Sequence, residues 1–357
     1  MKTRWLVTLC LLGLLIGCSQ KEAPKTAEQP SAAKTTSSIV RLDPAIDAIV
    51  PAGAKVEKVA TGFEWTEGPV WIHSGYLLFA AIHHNRIVKW VPGQGTSIFL
   101  HPSGYQGTKP YAGPEPGSNG MTLDRKGRLT VAGHARREIF RLESLKPGAK
   151  LTVLCDRYHG KRLNSPNDLV YKSDGSLYFT DPPYGLPTQG DHDPLKQLPF
   201  NGVFRLPGAA SIPAGGPPDN RHLQLVIKDL TRPNGIAFSP HQKYLYVSNS
   251  DPKDMVWMRY DVKPDGMVTN GKVFCKADPS EGPGGPDGIK VDQDGNLYGA
   301  GPGGVWIISP EGKHIGTIKI PERVANCAWG DADGKTLYVT ASSSVYRIPL
   351  SIPGVRP

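Results

Sequence analysis

The sequence predicts an all-β chain folded as a six-bladed β-propeller, on three observations. Six segments share one grammar: a polar lead residue, a short apolar run, a turn and a second apolar run. Their lead residues recur at about 40 to 50 residues, with one longer interval, which is the repeat length of propeller blades. Gly (41) and Pro (34) are frequent enough in 357 residues to punctuate many short strands, and no long polar-free helical window follows the N-terminus.

The N-terminus comes first. Lys2 and Arg4 precede an apolar run from Leu6 to Ile16, too short for an ordinary spanning helix. The run ends at Leu15, Ile16, Gly17 and Cys18, which resembles the bacterial lipobox, where the Cys is lipidated and the new N-terminus acylated. More than one acyl chain on Cys18 gives stable anchoring. Ser19 after the Cys fits sorting to the outer membrane, so the expected location is the bacterial cell envelope, lipid-anchored and facing the periplasm. The Lys, Ala, Thr, Ser and Pro that follow read as a flexible tether. The expected organisation is thus a signal peptide over 1–17, a tether over 18–50 and the propeller over 51–357.

The six segments are justified in order. Glu67-Gly-Pro-Val-Trp-Ile leads through Ser74-Gly75 to Tyr76-Leu-Leu-Phe-Ala; Asn119-Gly-Met-Thr-Leu leads through Asp124 to Gly127 to Arg128-Leu-Thr-Val. Asn167-Asp-Leu-Val-Tyr precedes Ser176-Leu-Tyr-Phe-Thr, and Asn234-Gly-Ile-Ala-Phe precedes Tyr244-Leu-Tyr-Val. Asp287-Gly-Ile-Lys-Val precedes Asn296-Leu-Tyr-Gly, and Asn326-Cys-Ala-Trp-Gly precedes Thr336-Leu-Tyr-Val-Thr. Third strands are expected at 86–90, 138–142, 202–206, 304–308 and 344–348. The long third interval holds Pro- and Gly-rich inserts at 186–201 and 207–221, read as surface loops. The stretch from Ala54 to Gly62 is expected to join the last blade and close the ring, which hides sheet edges.

A residue just before the innermost strand of a blade sits near the mouth of the central channel. Six such positions converge, and they read Glu67, Asn119, Asn167, Asn234, Asp287 and Asn326. Six buried polar side chains are costly without partners, and a hard cation relieves that cost. Carboxylate and amide oxygens without thiolate or imidazole suit Ca²⁺ best, with Mg²⁺, Mn²⁺ or Zn²⁺ as alternatives. Taken singly, each Asn-Gly or Asp-Gly is also a turn signature chosen for backbone conformation. Turn chemistry does not require Glu67 or Asn167, so the register favours convergence.

At Glu67-Gly-Pro-Val-Trp, Ser165-Pro-Asn-Asp-Leu, Arg232-Pro-Asn-Gly-Ile and Gly285-Pro-Asp-Gly-Ile the chain resembles the gluconolactonase/regucalcin family, also called the senescence marker protein family. The resemblance implies a six-bladed propeller with a central metal that hydrolyses sugar lactones, acting on a small-molecule lactone or ester. By position it implies Glu67, Asn167, Asn234 and Asp287 as metal ligands and Asp287 as general base. Asn167 and Asn119 would contact substrate, and Tyr184, in Asp181-Pro-Pro-Tyr184, would form a pocket wall. Ser165 stands where animal members carry a substrate-binding Arg, so the substitutes are sought in His134, Arg136 or Arg137. A calcium-dependent lactonase of the carboxylic-ester-hydrolase class is expected, as a monomer.

Other chemistries fit less well. The net charge of +9 is scattered, without a run of five or six like charges, so no nucleic-acid partner is expected. No EF-hand spacing and no G-x-S-x-G elbow occur. His83 and His84 are adjacent, so on a strand they face opposite sides. Cys155, Cys275 and Cys327 lack metal-site spacing and read as buried thiols, with at most one disulfide. Trp65, Trp71, Trp90, Trp306 and Trp329 read as blade core. The competing functions are a non-catalytic envelope scaffold, which has no need of a Glu67/Asp287 metal site, and an arylesterase or phosphotriesterase on the same metal.

Overall fold

Each apolar–turn–apolar segment becomes the inner pair of strands in an antiparallel sheet, four-stranded in five cases and five-stranded in one, and six such sheets surround a central channel. The computed structural model describes residues 39–357. The expectations for the signal segment 1–17, for lipidation of Cys18 and for the tether up to residue 38 lie outside the described residues.

Blade I consists of Thr66–Ile72, Tyr76–Ala81, Arg86–Val91 and Gly95–Leu100. Blade II follows with Met121–Leu123, Leu129–Gly133, Glu138–Leu142 and Leu151–Cys155. Blade III has Leu169–Tyr171, Leu177–Asp181, Gly202–Leu206 and Gln224–Ile227; blade IV has Pro233–Phe238, Tyr244–Asn249, Val256–Val262 and Val268–Lys276. Blade V comprises Ile289–Val291, Leu297–Gly301, Gly304–Ile308 and His314–Lys319. Blade VI takes Val324–Gly330, Thr336–Ala341 and Ser344–Pro349 from the C-terminal end of the chain. Its fourth strand is Glu57–Thr61, paired antiparallel so that Glu57 stands opposite Arg347 and Thr61 opposite Ser344. The ring therefore closes as the sequence predicts, with an N-terminal strand completing the last sheet. The two inserts at 186–201 and 207–221 are loops, apart from a single 3₁₀ turn at Ala209–Ser211.

The first strands of successive blades touch one another around the channel. Outward from them, six buried apolar clusters fill the gaps between neighbouring blades, one for each gap. Aromatic pairs span several of these gaps. Tyr338 of blade VI stacks on Trp71 of blade I at 5.1 Å, and Trp257 of blade IV meets Trp306 of blade V at 5.3 Å. Such pairs add to the burial that drives blade against blade. Trp71, Trp90, Trp306 and Trp329 are core residues as expected, whereas Trp65 lines the mouth of the channel. Cys155, Cys275 and Cys327 are buried free thiols.

The boundary at residue 50 is corrected. Ile39–Arg41 adds a fifth strand to blade V, pairing Ile39 with Ile318, and a one-turn helix follows at Ile46–Ile49. Ile46, Ile49 and Val50 are buried in the cluster between blades V and VI. Residues 39–50 thus belong to the folded unit, because these three side chains, with Ile39 packed against them, find a groove the tether reading did not supply.

Candidate active site

Three of the six first strands are irregular at their lead residues. The ladder slips between Glu67 and Val70, between Pro233 and Ile236, and between Val324 and Asn326. Such bulges re-aim a side chain, here toward the channel. Glycine at the next position then lets neighbouring blades close up. A Cβ on Gly120 would stand 2.5 Å from the Asn167 carbonyl oxygen, and one on Gly235 2.3 Å from that of Asp287. At Gly68 it would stand 2.2 Å from the Asn119 carbonyl oxygen, and at Gly288 1.9 Å from Asn326 Cγ. Of these four only Gly68 has a positive φ, so the glycines serve close approach rather than turn conformation.

Hydrogen bonds fix the same contacts. Gly120 N donates to Asn167 O at 2.7 Å, Thr180 Oγ1 to Asn234 O at 2.6 Å and Ser248 Oγ to Asp287 O at 2.7 Å. Each bond ties the carbonyl of a lead residue to the blade before it, so the lead side chains are held at one end of the channel.

There a cavity of about 420 Å³ is lined by Glu67, Asn119, Asn167, Asn234 and Asp287, together with Tyr184. All four expected metal ligands are therefore brought together, and two of the expected substrate contacts join them. A second cavity, of about 130 Å³, is lined by later residues of the same strands such as Val70, Met121 and Ile236, and no carboxylates converge there. Asn326 does not reach the wall of the larger cavity. Its Nδ2 donates to Glu67 Oε2 at 3.2 Å, while its Oδ1 accepts from Cys327 N at 2.8 Å and Lys290 Nζ at 3.3 Å. Lys290 Nζ also lies 3.6 Å from Asp168 Oδ2.

The electrostatics favour a cation. Burial pushes the Glu67 carboxyl up to about 7, against the pull of the Gly68 N–H, with the charge of Asp168 adding to the rise. Burial and then the charge of Glu67 raise Asp287 well above the usual carboxylate range, partly offset by Arg323. Asp287 Oδ1 and Asn119 Oδ1 are buried without any hydrogen-bond partner. Two buried acids, one with an unpartnered carboxylate oxygen, beside the amide side chains of Asn167 and Asn234 on the same wall form a donor set that suits a hard divalent ion. Among the described residues no group of three or more His, Cys, Asp or Glu could hold an ion, so any ion here would need amide oxygens as well.

His134 and Arg137 are not on the cavity wall, contrary to the sequence expectation. Both lie in the turn between Leu129–Gly133 and Glu138–Leu142. That turn folds His134 inward, fully buried, with Nε2 on Glu115 at 2.8 Å, and sends Arg137 Nε to the Leu163 carbonyl at 2.7 Å. Ser165 is also structural. Its Oγ donates to Pro182 O at 2.5 Å and accepts from Gly185 N at 2.9 Å, which holds the loop carrying Tyr184. His83 and His84 sit in a turn, both beside Glu64 at 3.1 and 3.5 Å, and His83 borders the cavity.

Sequence reasoning missed several wall residues: Glu115, Gln189, Arg232, Ser250 and Arg323. Arg232 stands in the quoted stretch beside Asn234 and was open to notice; it pairs with Asp191 at 2.6 Å. Glu115 and Gln189 come from Pro- and Gly-rich loops, where no periodicity marks a side chain's direction. Arg323 lies over the Trp65 ring at 5.2 Å on the rim.

Comparison with known proteins agrees with this architecture. The family described as SMP-30/Gluconolactonase/LRE-like region matches residues 65–343. A gluconolactonase of Zymomonas mobilis is 40% identical over 324 residues, covering 88% of this chain and 86% of that protein. The solved structure of the gluconolactonase XC5397 of Xanthomonas campestris is 28% identical with a TM-score of 0.73, covering 90% of this chain and 99% of that one. Regucalcin of Agrobacterium tumefaciens shares the fold, with a TM-score of 0.64 at 17% identity over 86% of this chain and 96% of its own. The propeller that brings Glu67, Asn167, Asn234 and Asp287 to one channel mouth therefore belongs to the SMP-30/gluconolactonase/LRE-like family.

Proposed function

We propose that this protein is a lactonase that opens a sugar or related lactone with one divalent cation, Ca²⁺, at the channel mouth. The observation that carries the reading is the buried pair Glu67 and Asp287, with Asp287 Oδ1 lacking any partner, in a cavity of about 420 Å³. The named activity of the Zymomonas mobilis and Xanthomonas campestris relatives supports it. Glu67, Asn167, Asn234 and Asp287 would hold the cation. When bound, it supplies Lewis-acid polarisation of the lactone carbonyl and charge for the oxyanion.

The chain's own residues do the rest. Asp287 takes a proton from the attacking water through a carboxylate oxygen that no protein group engages. Glu67 is fixed by Gly68 N at 2.8 Å and by Asn326, and contributes negative charge at a set position. Tyr184, whose hydroxyl is pushed up by burial and by Asp287, stays a neutral donor to substrate oxygens. Asn119 offers an unpartnered amide oxygen to a substrate hydroxyl. Arylesterase or phosphotriesterase action and a pure scaffold role have no comparable support among the relatives.

The test is lactone hydrolysis by purified protein, stripped by chelator and reloaded with Ca²⁺, Mg²⁺, Mn²⁺ or Zn²⁺ in turn. Activity that ignores both the chelator and Asp287→Asn sinks the reading. The same proposal puts the enzyme on the bacterial envelope through Cys18. Loss of labelled-lipid incorporation in Cys18→Ala supports that placement, and unchanged labelling rejects it.

A further inference from the structure

His134 has an acceptor at each ring nitrogen. Nδ1 stands 3.1 Å from the Pro166 carbonyl oxygen, and Nε2 stands 2.8 Å from Oε2 of Glu115. A carbonyl oxygen has no proton to give, so Nδ1 is the donor there. A neutral imidazole has only one N–H. Nε2 must then either accept a proton from the Glu115 carboxyl or, in an imidazolium, donate one to the carboxylate. Either way one transferable proton lies between Glu115 and His134. The ring cannot turn away. It is fully buried, and a Cβ on Gly185 would stand 2.6 Å from its Cδ2, so the loop backbone is pressed against it.

Glu115 is the member of this pair that lines the cavity. Gln189 Nε2 donates to its Oε1 at 2.8 Å and steadies the carboxyl from the blade III insert. Asp287 leads blade V, and Glu115 enters blade II, three blades away in a ring of six. The two acids thus border the same cavity from opposite sides of the channel.

We propose that Glu115, positioned by His134, is the general acid that protonates the ring oxygen as the lactone opens. This rests on the lactonase reading of the same cavity. The water oxygen bonds to the acyl carbon while Asp287 takes one water proton. The bond from the acyl carbon to the ring oxygen then breaks, and its electron pair stays on the ring oxygen. That oxygen takes the proton of the Glu115–His134 pair, delivered through Glu115. The product is one chain with a carboxylic acid and an alcohol. Asp287 releases its proton to solvent and the pair regains one, so lactone and water are all that is consumed. The division of labour fits the chemistry, because an alkoxide leaves poorly without a proton, whereas a phenoxide leaves readily.

The test reads that difference. δ-Valerolactone and dihydrocoumarin both lack hydroxyl groups, but one releases an alkoxide and the other a phenoxide. Glu115→Gln preserves shape at a partly exposed position, and an unchanged melting temperature verifies its fold. Its expected kcat on δ-valerolactone falls about 100-fold, while that on dihydrocoumarin stays within about threefold of wild type. His134→Gln is expected to lose about tenfold on δ-valerolactone with the same bias. Equal losses on both substrates overturn the proposal and leave the lactonase reading standing. If only hydroxylated lactones are turned over, a Glu115→Gln effect confined to KM overturns it, and an effect on kcat upholds it. Wild-type protein that opens no lactone, glucono-δ-lactone included, overturns the lactonase reading and this one with it.

Discussion

Asn326 donates 3.2 Å to Oε2 of Glu67, joining the lead residue of the last blade to that of the first. The direction of this bond is forced. Asn326 Oδ1 is already taken by Cys327 N and Lys290 Nζ, so only its amide nitrogen can face Glu67. Glu67 Oε2 also accepts from Gly68 N at 2.8 Å, which fixes the rotation of the carboxylate. Outer partners that orient a ligand typically change metal affinity 10–100-fold when removed. Asn326→Ala is therefore expected to weaken Ca²⁺ binding by about one order of magnitude or more. Calorimetric titration of chelator-stripped protein measures it, and an unaltered affinity would show that Glu67 needs no such support.

Gly235 offers a test of why the lead motif contains glycine. Its φ is not positive, so an Ala could adopt the backbone conformation without strain. If turn chemistry were the reason for Gly235, Ala would be neutral or slightly stabilising. The added Cβ instead meets Asp287 O at 2.3 Å and Ile289 N at 2.7 Å, both backbone atoms of the next blade. Gly235→Ala is expected to cost about 1–3 kcal/mol by overpacking. It should also lower lactone turnover, since Asp287 must move. Urea unfolding and rate measurements on the same preparation give both numbers.

The inner strands and the ring closure were legible because the pattern of apolar run, turn and apolar run repeats six times, and because Glu57–Thr61 reads as a strand with no partner of its own. The other outermost strands were not. Gly95–Leu100 and most of Val268–Lys276 face solvent, so no apolar pattern marks them. In the site, the lead residues were legible from their register in the repeat. The inward fold of His134 and the approach of Glu115 were not, since a four-residue turn and a Pro-rich loop carry no period from which direction follows.

Ile46 tests whether residues 39–50 are part of the fold. Its side chain is fully buried, and its Cδ1 occupies the space over Gly316, where a Cβ would stand only 2.2 Å away. Arg41 reinforces the segment by donating from Nη2 to Val50 O at 2.9 Å. Ile46→Ala is expected to destabilise by about 2–4 kcal/mol, the cost of a buried aliphatic truncation. Gly316→Ala, which fills the same contact from the other side, should also destabilise. A tether would show neither effect in a denaturant titration.

His314 supplies a pH prediction away from the active site. Its ring stacks on Trp306 with centroids 3.6 Å apart and bonds Thr317 Oγ1 at 2.9 Å through Nε2. Burial pushes its pKa down to about 4, a bond to the Gly316 carbonyl pulls it partly back, and Lys319 adds to the fall. A depressed pKa means the unfolded chain binds the proton more readily, so folding is favoured while the ring is neutral. This contribution is present in full above the ordinary value of 6.5 and is lost as pH falls through about 4. Solvent screening limits it to about 1–2 kcal/mol. Wild-type stability should therefore decline between pH 6.5 and pH 4, and His314→Phe, which keeps the stack on Trp306 but cannot titrate, should flatten that part of the profile. Urea midpoints at half-unit pH steps decide it, and parallel profiles for the two proteins would assign the acid sensitivity to other groups.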